Sequence, residues 1–196
     1  MKDIYKKIWA LAKPYYMKGR PMDIDHIEWM IDDALLICQK ENIDDALLLP
    51  LVILHDVGYG DVPQGNPFNV DLRKAHMKAG EKITKNILTD INYDSEKSDK
   101  ISYYVSVHDN WALDDNEIYL KDIILGSFND LDFMWMATPK GFPALKKILN
   151  KNDLEMIEYL KKDDKLINRP FSTSSSKNLF YKYLENRSNE FKNIKN

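Results

Sequence analysis

The sequence predicts an all-α protein. Apolar residues recur at three- and four-residue steps through most of the 196-residue chain. No segment shows a convincing strand-like alternation of apolar and polar residues. Capping residues and proline or glycine breaks fall where the helical stripes stop. The length points to one domain, 1–196, built as a helical bundle with additional C-terminal helices.

A first helix precedes residue 22. The second carries Ile27, Met30, Ile31, Ala34, Leu35 and Cys38 on one face. Asp25 with Glu28 three residues on reads as a capping box, which starts this helix just before His26. Asn42 to Asp45 is a mostly polar break. Ala46 to Leu54 is almost wholly apolar and runs into His55-Asp56. Pro50 requires this third helix to start near Leu47, so that the ring falls in the first turn. Gly58 to Asn69 holds three of the seven glycines and two of the eight prolines and reads as an irregular surface loop. Loops of this length in compact domains often carry function.

Further helices are expected over about 71–89, 95–108 and 116–135. Ser95 is the expected N-cap of the middle one. Pro143 opens a short helix to Leu149, and Asp153 to Lys162 and Asn178 to Phe191 complete the set. Phe171 to Ser176 reads as a polar connector.

Composition narrows the function. Basic and acidic residues number 28 and 31, a net charge of −3, which gives no large single-sign field. Binding to a nucleic-acid polymer or an anionic membrane is therefore not expected. Residues 1–20 and 171–196 carry a basic excess that reads as solvated helix faces. The single cysteine, Cys38, excludes a disulfide scaffold and a multi-cysteine zinc site. The charged start lacks a secretory apolar region, and the longest strongly apolar stretch is too short for a bilayer, so a cytoplasmic location is expected.

The four histidines and two aspartates are the chemical signal. His26 starts the second helix, and His55-Asp56 ends the third. His76 shares a face with Leu72, Gly80, Ile83 and Ile87. His108 continues the stripe of Ile101, Tyr104 and Val105, and Asp132 that of Leu125 and Phe128. Taken singly, each histidine reads as a hydrogen-bonded core residue. His76 also reads as a surface residue beside Lys74 and Lys78, and His108 as a helix C-terminus. Taken together they read differently. A buried carboxylate costs several kcal/mol unless it is paired or ligates a metal. One cluster on a first-row divalent metal (iron, manganese, cobalt or zinc) satisfies Asp56, Asp132 and the imidazoles at once.

The order His26, His55-Asp56, Asp132 resembles the H…HD…D signature of the HD-domain metal-dependent phosphohydrolase superfamily. Leu54-His55-Asp56-Val57-Gly58 and Asp25-His26-Ile27-Glu28 match the family's context. The family often has Asp-x-Asp followed by a basic residue. By that register Asp132 is the ligand, Asp130 its neighbour, and Phe133 stands where Lys or Arg is usual. Trp135 with Thr138 to Phe142 is similar to a stretch in some HD members. The resemblance covers about 22–142 and leaves about 143–196 as a helical extension. With His76 and His108 the order becomes H…HD…H…H…D, which resembles the binuclear branch.

The resemblance implies one or two divalent metals per chain, held by His26, His55, Asp56, His76, His108 and Asp132, with Asp56 bridging. It implies hydrolysis of a nucleotide or other small phosphate ester by metal-activated water. Arg73, three residues from His76, is the expected partner for phosphate oxygens, with Lys74, Lys78 and Lys140 behind it. Asp130 or Asp109 is the candidate acid or orienting carboxylate. Tyr59 or Phe68 could stack on a base. The same ligand set with two irons also supports a di-iron oxygenase, which composition and spacing do not separate from a hydrolase. Homo-oligomer formation is left open.

Overall fold

The computed structural model describes residues 1–66 and 68–194. Pro67, within the expected loop, lies outside the described residues. Among those residues the chain is helical, with no strand. It divides into two compact units, Met1–Asn116 and Glu117–Asn196. The sequence expectation was one domain with an extension from about 143. The division falls earlier, ahead of the segment carrying Asp130 and Asp132.

In the first unit the helices are α1 (Asp3–Gly19), α2 (Asp23–Glu41), α3 (Asp45–Leu54), α4 (Val70–Asp90) and α5 (Ser95–Val107). α3 is buried on every side from Leu47 to Leu54 and forms the centre, with α1, α2 and α5 packed on it. This follows from its composition, since a helix with no polar face is stable only inside. α1 supplies Tyr5, Ile8, Ala12 and Tyr16 to the core, and α2 supplies Ile27, Met30, Ala34 and Ile37. The Tyr16 hydroxyl donates to the Ile53 carbonyl at 2.8 Å, tying α1 to the last turn of α3.

Several boundaries differ from the sequence reading, each for a local reason. α2 begins at Asp23 with no side-chain cap, so Asp25 and Glu28 do not form the capping box; Glu28 instead meets Lys13 at 3.5 Å. α2 ends on Asn42 in the left-handed region (φ 54°), whose N–H donates to the Cys38 carbonyl. α3 begins at Asp45, capped by the Asp44 side chain on the Ala46 N–H. Pro50 therefore lies beyond the first turn. It cannot donate to Ala46, four residues back, and the Tyr93 hydroxyl donates to that carbonyl instead, at 2.8 Å. Asp94, not Ser95, caps α5, through the Lys97 N–H at 2.9 Å.

The expected surface loop is only partly one. Val57–Gly60 forms a buried 3-10 turn directly after Asp56, and the exposed chain starts at Asp61. A Cβ on Gly58 would stand 1.9 Å from the His76 carbonyl oxygen, and one on Gly19 2.4 Å from the Tyr59 carbonyl. Both glycines allow backbones to pass closer than a side chain permits.

The second unit holds α6 (Glu117–Lys121), α7 (Ile123–Met134), α8 (Gly141–Ile148), α9 (Asp153–Lys161), α10 (Lys165–Asn168) and α11 (Ser174–Ile194). The single helix expected over 116–135 is two. Asp122 is extended (φ −123°) and its carboxylate caps the N–H groups of Ile124 and Leu125. α9 has a full capping box between Asn152 and Glu155. The polar connector is shorter than expected, because Ser174 to Ser176 already belong to α11. Phe133, Phe171 and Phe180 form an aromatic cluster, with ring centroids 5.0 Å (Phe133–Phe180) and 5.3 Å (Phe171–Phe180) apart. No helix among the described residues is long and apolar enough to cross a membrane.

Candidate metal centre

Four helices of the first unit deliver five functional side chains. His26 lies in the first turn of α2. His55 is the C-cap of α3 and Asp56 follows it. His76 sits on the inner face of α4, and His108 is the C-cap of α5. All five are buried, His76 completely.

Asp56 is the hub. Its Oδ1 lies 3.3 Å from His76 Nε2 and 3.3 Å from His108 Nε2, and those two nitrogens are 3.1 Å apart. Its Oδ2 lies 3.5 Å from His55 Nε2, and the His55 ring meets the His26 ring edge-on at 5.8 Å. One carboxylate thus faces the His76–His108 pair with Oδ1 and His55 with Oδ2.

The backbone fixes how the imidazoles present themselves. Nδ1 of His55, His76 and His108 lies 3.0, 3.3 and 2.8 Å from the carbonyl oxygens of Val52, Leu72 and Val105. A carbonyl only accepts, so Nδ1 carries the proton and a neutral ring offers a lone pair at Nε2. Burial, with His55 beside it, holds the His26 imidazole down at about 3. Burial also lowers His76, against the pull of Asp56. Burial opposes ionisation of Asp56, but the His55, His108 and His76 imidazoles outweigh it and hold the carboxyl well below its usual range. With Nδ1 protonated, His76 and His108 direct Nε2 lone pairs toward Asp56, a set of ligand atoms that suits a cation.

The spacing fits a metal. Donors about 2.0–2.2 Å from a zinc-sized ion stand roughly 2.8–3.6 Å from one another. The triangle of Asp56 Oδ1, His76 Nε2 and His108 Nε2 has edges of that length. Asp56, His76 and His108 therefore form a group that could hold a metal ion. Imidazole and carboxylate ligands suit first-row divalent metals, and nothing in the group selects one of them.

The other sequence candidates fall in different places. Arg73 is buried, and its Nη1 donates to Asp109 Oδ2 at 2.5 Å, with the guanidinium over the Trp111 ring at 4.7 Å. It is occupied by protein and not presented as a free phosphate partner. Lys74 and Lys78 are exposed. Tyr59 stacks on His76, with centroids 4.0 Å apart and planes 8° from parallel, so that ring face is already covered. Phe68 is half exposed. In the second unit, Asp132 lies half-buried on α7, and Lys140 is exposed. Asp130 is buried and ion-paired to Lys165, and its other oxygen accepts from the Ser172 N–H at 2.8 Å. Burial pushes the Asp130 carboxyl up to about 6 despite Lys165. That environment satisfies Asp130 as a structural group.

One residue escaped the sequence reading. Arg20, just after α1, is ion-paired with Asp23 at 3.0 Å, comes within 4.0 Å of Asp56 Oδ2 and lies 4.5 Å over the Tyr59 ring. Burial lowers its basicity, but Asp23 and Asp56 outweigh that and keep it firmly charged. Its side chain is still partly open to solvent. A lone arginine before Pro21 carries no pattern that announces such a position.

These features define the class: an all-helical protein with a buried imidazole–carboxylate centre able to hold a metal. No protein-family model, curated protein or solved structure matches the chain.

Proposed function

We propose that this protein is a metal-dependent phosphohydrolase of the HD-domain type, acting on a nucleotide or another small phosphate ester. The observation that carries the reading is Asp56, with Oδ1 toward His76 and His108 and Oδ2 toward His55. This is the arrangement a carboxylate shared by two cations needs, and it agrees with the ordered H…HD…H…H…D resemblance. Asp132 enters the ligand set through that resemblance.

A divalent metal bound at such a centre supplies Lewis acidity and a water acidified to near neutrality. The protein's own residues supply the rest. The backbone carbonyls of Val52, Leu72 and Val105 hold three imidazoles with Nε2 directed at Asp56. Arg20, charged and partly accessible beside Asp56, is the side chain suited to neutralise a non-reacting phosphate oxygen. Tyr59 holds both the Arg20 guanidinium and the His76 ring by its faces. The buried turn at Val57–Gly60 sets the Tyr59 ring against His76.

The test is elemental analysis combined with a hydrolysis screen over nucleotides and small phosphate esters. Purified or reconstituted protein is expected to carry one to two transition-metal ions per chain and to release phosphate. Asp56→Ala is expected to lose both metal and turnover. Absence of metal after reconstitution overturns the metal centre. O2 consumption by the iron-loaded protein, without phosphate release, transfers the chain to the oxygenase reading.

A further inference from the structure

The pair Arg73–Asp109 is not used by the reading above. Asp109 follows His108 directly and is buried. Both of its oxygens are held: Oδ2 by Arg73 at 2.5 Å and Oδ1 by the Trp111 indole N–H at 3.0 Å. Its own N–H points to Met77 Sδ at 3.4 Å. Arg73 is itself pinned over the Trp111 ring. Asp109 Oδ2 nevertheless lies only 3.8 Å from His76 Nε2, the nitrogen that meets Asp56 and His108. A buried carboxylate is thus parked one short side-chain movement from the acceptor triangle, with a guanidinium as its counter-ion.

We propose that Asp109 is a conditional fourth ligand for a cation at Asp56, His76 and His108, and that Arg73 withholds it. The inference rests on the metal-centre reading and adds to it a control on that same site. The physical argument is competition. A guanidinium and a divalent metal both seek the same carboxylate oxygen, and the charge-assisted bond that Arg73 makes to Oδ2 occupies the oxygen nearest the triangle. With Arg73 in place, the triangle offers one carboxylate and two imidazoles, so it holds its metal loosely. Without Arg73, a second carboxylate becomes available and the site tightens. Arg73 therefore sets the affinity of this position without touching substrate.

The experiment is calorimetric titration of chelator-stripped protein with Co2+, with cobalt content read by elemental analysis. The relevant step is the one that His76→Ala deletes. Arg73→Gln is expected to tighten that step by about tenfold, equivalent to about 1.4 kcal/mol. Arg73→Gln with Asp109→Asn is expected to lose the gain. An unchanged or weakened step in Arg73→Gln overturns the proposal, while cobalt binding by the wild type leaves the metal centre standing. A wild type that binds no cobalt removes both. Should Arg73→Gln fail to fold, Trp111→Phe removes only the donor to Oδ1 and keeps a ring under Arg73. It is expected to tighten the same step by a smaller factor, and no tightening overturns the proposal.

Discussion

Each imidazole of the centre is a proton site as well as a metal site, and the two compete. Metal binding requires a bare Nε2, while acidification protonates it. Because burial lowers His76, its ring is neutral at pH 7 and remains so somewhat below the ordinary histidine range. His26, held at about 3, stays neutral further still. The sign is therefore fixed: metal affinity falls as pH falls, and the position built on His76 empties before any position built on His26. Cobalt content after equilibration from about pH 8 down to about pH 4.5 is expected to fall as the His76 position empties, while any position built on His26 keeps its metal. A content independent of pH over that span contradicts the ligand assignment. At this scale the sequence revealed the imidazoles, because a histidine on an apolar stripe is visible in one dimension. It did not reveal who holds Arg73. Asp109 is 36 residues away, and only folding brings α4 and the end of α5 together. Arg20 was hidden for the same reason.

Helix periodicity placed α2, α4, α5 and α9 to within a few residues, because a one-sided apolar stripe is a local property. It misplaced what depends on a single polar group. Asp122 breaks the expected long helix by turning extended and capping the next one, whereas the same residue on a helix face looks merely solvated. α3 shows the converse. Pro50 argued for a late start, yet the helix begins at Asp45 because Tyr93, from the chain just after α4, supplies the missing donor to Ala46. Tyr93→Phe is expected to destabilise the protein by about 1–2 kcal/mol, as the Ala46 carbonyl loses its partner. Pro50→Ala returns a backbone N–H to that carbonyl. In its background the Tyr93→Phe penalty is expected to shrink to a few tenths of a kcal/mol by the double-mutant cycle. Urea unfolding of the four proteins checks this, and equal penalties in both backgrounds would show that Tyr93 acts through packing alone.

Among the described residues, Asp56 and Asp130 each anchor a buried ionic system, and the two are of opposite character. The first unit surrounds Asp56 with groups that accept, and a cation completes it. The second unit surrounds Asp130 with a donor on each oxygen, Lys165 and the Ser172 N–H, and is complete as it stands. Lys165 is itself buried, and its ammonium lies 4.0 Å over the Phe171 ring. The sequence reading gave Asp130 a catalytic part because it stands two residues from Asp132 in an Asp-x-Asp pattern. Lys165 lies on α10, a four-residue helix too short to leave a periodic trace, so its pairing with Asp130 was invisible. The two roles make different predictions. Lys165→Met leaves a carboxylate buried without its ammonium and is expected to cost about 3–5 kcal/mol. Adding Asp130→Leu removes the orphaned charge and is expected to recover most of that loss, since an apolar pair can replace a buried ion pair at little net cost. Under conditions where the double variant is folded, its metal content and phosphate release are expected to match the wild type. Chemical unfolding with turnover on the same samples decides between the roles. A stable, metal-loaded double variant without turnover would restore Asp130 to the reaction, and a stable, active one leaves it as the anchor between α7 and α10.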